Sequence, residues 1–220
     1  MPRLHRLVPA LLAFALPLAG RAEPAHYALD PVHTRVLFAV SHAGFSQAMG
    51  TVSGSHGDLW FDPDDWGSAK LTVEVPLDRL DMGDAKWTRA VQAANLLDTA
   101  EHPVARFVSK RIEPVDATHA RVCGDIEIRG IARDACLDVA FNQLKRHPMP
   151  PFRRTAGFSA TATLERGDFG IDAWKSVVGG EVQLRIEAEA VRTAAGDDDS
   201  APGKTDPLPA TDTATPETHP

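Results

Sequence analysis

The chain has 220 residues, with 23 Lys and Arg against 30 Asp and Glu and a formal net charge of −7. Hydrophobic residues make up 43% of it, enough for one domain with a sizeable core. The acidic balance argues against a nucleic-acid partner, which needs a basic face.

In chain order, Arg3 and Arg6 come first, then the apolar run LVPALLAFALPLA, then small residues at Gly20 and Ala22. This is the layout of a secretory signal cleaved after Ala22. The run is short for a bilayer span and holds two prolines. The expectation is an exported protein that does not span the membrane, with residues 23–192 as its domain. Strands follow. Val36, Phe38 and Val40 alternate with Leu37 and Ala39 over 34–42, and a second strand is expected over 50–61. Leu71, Val73, Val75 and Leu77 then alternate with Lys70, Thr72 and Glu74. Asp84 is the expected N-cap of a helix of three or four turns carrying Trp87, Val91 and Ala94, with Pro103 just past its end. Further strands are expected near 104–113, 118–129 and 134–145. Phe158, Ala160, Ala162 and Leu164 form the apolar row of the next strand, and Val182, Leu184, Ile186, Ala188 and Ala190 that of the last. From 193 to 220 the chain is acidic and rich in Pro and Thr, with too few bulky residues to offset its ordering entropy, so it reads as a disordered tail.

About eight half-buried antiparallel strands with one inserted helix make an all-β domain, either a sandwich or an up-and-down barrel. A barrel removes the exposed edges of an open sheet. The small inward residues Ala160, Ala162, Ala188 and Ala190 leave space inside, which favours a hollow barrel.

The two cysteines, Cys123 and Cys136, fall on the polar, outward face of a hairpin. If its turn centres on Arg129 and Gly130, they lie opposite each other and a cross-strand disulfide closes the pair. Their spacing matches no zinc motif, and two ligands alone are too few. No nucleophile elbow, phosphate loop or His-Glu-x-x-His run is present. His33 and His42 are nine residues apart and so fall on opposite faces of a regular strand, with Asp30 placed to orient His33. No catalytic residue, metal site or cofactor is expected.

The runs LDPVHTRVLFAVSH, LWFDP, LLDTAEHPVARF, GDIEIRGIARD and GFSATATLERGDFGI, in this order, resemble the YceI-like family from Tyr27 to about Val191. The chain differs in having Leu96 and Leu97 where the family has an aromatic pair, and Thr34 where it has serine. The resemblance implies an extended, eight-stranded, lipocalin-like antiparallel barrel with the helix near one end. It also implies a periplasmic location and a polyisoprenoid or quinone-like lipid as ligand. The residues then expected to bind the lipid are Val36, Phe38, Val40, His42 and Phe45 on the first hairpin. Phe107, Phe158, Phe169, Trp174, Val182 and Leu184 complete the set. Outward Leu37 and Ala39 are expected under the helix, a terminal segment or a second subunit of a homodimer. Two other readings stay open: an enzyme acting on a small apolar substrate in the same barrel, and a structural module without ligand.

Overall fold

The computed structural model describes residues 24–193. The expected signal segment, and all of the expected tail except Thr193, lie outside the described residues. The described residues form eleven strands: β1 (Ala25–Leu29), β2 (Arg35–His42), β3 (Ser46–Ser53), β4 (His56–Phe61), β5 (Lys70–Pro76), β6 (Leu80–Asp81), β7 (Val104–Pro114), β8 (His119–Ile128), β9 (Ile131–Arg146), β10 (Arg154–Glu165) and β11 (Val178–Arg192). One α-helix, α1 (Ala85–Gln92), precedes β7.

All neighbours pair antiparallel, and the sheet closes on itself as an eight-stranded barrel. The ring runs β1-β4-β5-β7-β8-β9-β10-β11 and returns from β11 to β1. The long β11 pairs with β1 near its C-terminus (Leu29 opposite Ala190) and with β2 nearer its start (Phe38 opposite Leu184). Thus β1 and β2 are two lengths of one stave, interrupted by the turn at 30–34. The next stave is divided in the same way. The single strand expected over 50–61 breaks between β3 and β4, where Gly54 has a φ of +80°. An L residue reaches that conformation only at a cost, so the break sits on the glycine.

The period-two rows behave as barrel staves should. Leu71, Val73 and Val75 on β5, Val122 and Ile126 on β8, and Val182, Leu184 and Ile186 on β11 all point inward. Their neighbours carry the charges outward. This polarity is the reverse of a membrane-spanning barrel, which is apolar outside. Among the described residues, no helix is long and apolar enough to cross a membrane. The β8–β9 turn is centred on Arg129 and Gly130, both at positive φ, which matches the right-handed twist of a two-residue hairpin. That register sets Cys123 opposite Cys136, and the two are joined by a disulfide.

The helix is shorter than expected. Asp84 caps it, its carboxylate accepting from the Lys86 and Trp87 N–H groups, but it ends at Gln92. The chain then folds back. Val91 O accepts from Leu97 N, and Ala93 O accepts from both Leu96 N and Asp98 N. This coil lets Leu96 and Leu97 reach the interior beyond the end of α1.

The two ends of the barrel differ. At the end holding β1, β4 and the C-terminus of β11, Tyr27, Leu29, Leu59, Phe61 and Trp66 form a buried cluster with Ala120, Ala156 and Ala190. The Phe61 ring stands edge-on to Trp66, Phe141 and Phe158, each at 5.3 Å between centroids, the geometry aromatic quadrupoles favour. At the opposite end, α1, the 93–102 coil and the 166–177 segment cover the opening. Arg129 ties these together, donating to Gly170 O and Ala94 O.

Candidate functional site: an apolar cavity along the barrel

Between the packed end and the helix-covered end lies a cavity of about 560 Å³. That volume falls in the usual range for small-molecule sites, about 300–1,000 Å³. Its wall is almost wholly aliphatic and aromatic. His42, Arg106 and Arg166 are its titratable members, and no carboxylate is among the lining residues.

Ten of the eleven residues expected to line a ligand space do line this cavity. They are Val36, Phe38, Val40 and His42 on β2, Phe107 on β7, Phe158 on β10, Phe169 and Trp174 in the following segment, and Val182 and Leu184 on β11. Phe38 owes its place to Gly50, its direct cross-strand partner. A Cβ at Gly50 would overlap the Phe38 ring, so the glycine lets the ring lie across β3.

Phe45 is the exception and corrects the expectation. It is 92% exposed and stands outside the cavity. Alternation along β2 carries no information past its end, because Ala43 and Gly44 turn the chain at φ values of 51° and 72°. Leu37 and Ala39 do face outward, but α1 lies at the barrel end rather than over them, and Leu37 remains 36% exposed. The Asp30–His33 pair forms as expected, 2.8 Å apart, on the outer surface at the β1–β2 turn.

Sequence reasoning placed the helix near one end but did not name this segment's residues as lining. Met82, Trp87, Ala90, Val91, Leu96 and Leu97 all line the cavity from the 77–102 segment. The helical spacing of Trp87, Ala90 and Val91 was the available signal. Arg166 was missed too. It is 6% exposed, and its guanidinium donates to four backbone carbonyls: Gly179 O, Ile171 O, Ala173 O and Val178 O, at 2.6–2.9 Å. Those dipoles replace the water that a buried cation gives up, and they pin the β10–β11 connection over the cavity. Thr34, in the family's serine position, is buried, and its hydroxyl donates to Glu189 O. The side chains of Ser55 and Trp66 also line the cavity, with no hydrogen-bond partner among the described residues for Ser55 Oγ or Trp66 Nε1.

Comparison with known proteins agrees with this architecture. Residues 27–190 match the family model of the YceI-like domain. A UPF0312 protein of Pseudomonas savastanoi pv. phaseolicola is 33% identical over 162 residues, covering 73% of this chain and 83% of that protein. Among solved structures, BcnA of Burkholderia cenocepacia superposes with a TM-score of 0.66 at 22% identity, covering 73% of this chain and 98% of BcnA. A polyisoprenoid binding domain from Saccharophagus degradans superposes with a TM-score of 0.53 at 14% identity, covering 77% of this chain and 99% of that domain. The chain therefore belongs to the YceI-like family, and its barrel has the fold of these structures.

Proposed function

We propose that this YceI-like chain is an exported, periplasmic carrier that binds a long isoprenoid-type lipid in its barrel. The observation that carries the reading is the apolar cavity itself, walled by Val36, Phe38, Val182 and Leu184 and stopped at one end by the Phe61 cluster. A ten-residue stave extends about 34 Å, room for a long tail laid along the axis. Each buried methylene contributes about 0.8 kcal/mol, less the cost of ordering the tail. Affinity then comes from length and dryness rather than from many polar contacts. A polyisoprenoid or quinone-like lipid suits such a wall, and its insolubility gives an exported carrier its use. The Saccharophagus degradans domain named for polyisoprenoid binding has the same fold and supports the choice of ligand class. The disulfide fits an oxidising compartment. The enzyme reading has less support, because no carboxylate lines the cavity beside His42.

The test is mass spectrometry of an organic extract of protein purified gently without added lipid. An isoprenoid chain in near-equimolar amount is the expected result. Bulk phospholipid alone, or no lipid, overturns the proposal.

A further inference from the structure

The aromatic residues at the helix-covered end do not stop at the cavity. Trp87 and Trp174 line it yet are 44% and 61% exposed, and Val177 lines it at 38%. Side chains that belong to both the lining and the surface mark where the cavity reaches solvent. Phe45, at 92% exposure, follows the Ala43–Gly44 turn at the β2–β3 hairpin tip. Ala43 N donates to Val177 O, and Trp174 O accepts from Val177 N and Val178 N. The His42 ring lies 5.6 Å from that of Trp87. The β2–β3 hairpin tip, the 171–178 segment and α1 therefore form one rim. The backbone holds the rim outward, with Ala43, Gly44 and Trp174 all in left-handed conformations. A contiguous exposed apolar patch of this kind marks an interaction surface.

The charges on the rim narrow the partner. Lys86 and Arg89 are exposed on α1 and make no side-chain hydrogen bond or ion pair among the described residues. The acidic residues of the same segments are engaged. Asp84 caps the helix, and Asp172 pairs with Lys175 at 2.7 Å. Exposed Trp and Phe beside uncompensated cations match the headgroup region of a phospholipid bilayer. Aromatic rings sit there at the apolar boundary, and Lys and Arg meet the phosphates.

We propose that this rim docks on a phospholipid bilayer, so that an apolar ligand passes between membrane and cavity without crossing water. The proposal rests on the reading of the cavity as a site for an apolar ligand.

Vesicle flotation tests it, with phosphatidylcholine vesicles prepared with and without phosphatidylglycerol. The chain is compared with Phe45→Asp and with the Lys86→Glu/Arg89→Glu double variant. Whatever other segments contribute is common to all three. Phe45→Asp should cut the bound fraction about tenfold on both vesicles, since it exchanges an inserted ring for a charge. The double variant should lose about tenfold only on vesicles holding phosphatidylglycerol. Uptake of a fluorescent polyene fatty acid in the absence of vesicles should be unchanged in both, because none of the three residues lines the cavity. Equal flotation of Phe45→Asp and the parent chain overturns docking, and with fatty-acid uptake intact it leaves the cavity reading standing. Absence of uptake by the parent chain overturns that reading and docking with it. Loss of capture of a protein partner by Phe45→Asp, with vesicle binding unchanged, assigns the rim to protein instead and also overturns the proposal.

Discussion

The two ends of the barrel are closed by different physics. One is stopped by packed rings, with Phe61 edge-on to three aromatic neighbours and Tyr27 1% exposed. The other is covered by an eight-residue helix with no buried residue and by a connection held through four hydrogen bonds from Arg166 and one from Arg129 over the buried Phe169 and Ile171. Packing is lost only when the whole core loosens. A hydrogen-bonded cover over few buried contacts opens locally, at less than the global cost. The difference makes the packed end a floor and the covered end the side from which, on the carrier reading proposed above, a ligand enters.

The largest effect should come from the floor. Phe61→Ala removes the ring that Trp66, Phe141 and Phe158 all face, and should cost about 3–5 kcal/mol in denaturant unfolding. A loss below about 1 kcal/mol would mean that this end is not a packed core, and the contrast would collapse. Arg166→Met should come next, at about 2–3 kcal/mol, because four buried carbonyls lose their donors. Its signature should be local. Hydrogen exchange should accelerate over 171–179 and remain slow at β1 and β4. Uniform acceleration would show that the cover and the floor unfold together. Asp84→Ala removes the N-cap of α1 and should cost about 1 kcal/mol or less, with faster exchange in 86–92 and faster ligand exchange.

Much of this contrast was legible in the sequence on one side only. The inward rows of β5, β8, β10 and β11 follow from strict alternation, and the disulfide follows from the turn at Arg129 and Gly130. These are properties of regular strands, where each residue's face is set by its neighbour's. The covered end has no such period. Phe45 follows two left-handed residues, so the parity of β2 does not reach it. Leu96 and Leu97 leave the helical register through the bonds that fold the coil back on α1. Arg166 reads as one more polar residue at a strand end. Only the convergence of carbonyls from 171–179 shows it as the residue that holds the cover. The β1 strand, and the separation of β3 from β4, were missed because short strands leave little pattern to count.

The smallest effect belongs to neither end and tests whether the middle of the wall is neutral in the contrast. At the β1–β2 turn, the hydrogen bond to Asp30 and its negative charge raise the His33 pKa above its ordinary 6.5, and Glu189 adds slightly to this. Partial burial pushes Asp30 up, but hydrogen bonds from the His33 ring and from the Val32 and His33 N–H groups outweigh it and hold Asp30 below 3.8. The raised imidazole stabilises the fold fully below pH 6.5, and that contribution is lost as pH rises through its folded value. The depressed carboxylate stabilises fully above pH 3.8, and its share is lost as pH falls through its folded value. Both are at full strength together only between these limits. Asp30→Asn keeps an acceptor for the turn but removes the charge. It should cost well under about 1 kcal/mol near pH 5, since His33 is half exposed, and the cost should shrink by about pH 8. A difference from the parent chain that stays constant over that range would mean the pair contributes through the turn geometry alone. A larger one would mean the barrel waist, rather than its covered end, responds first to a change in conditions.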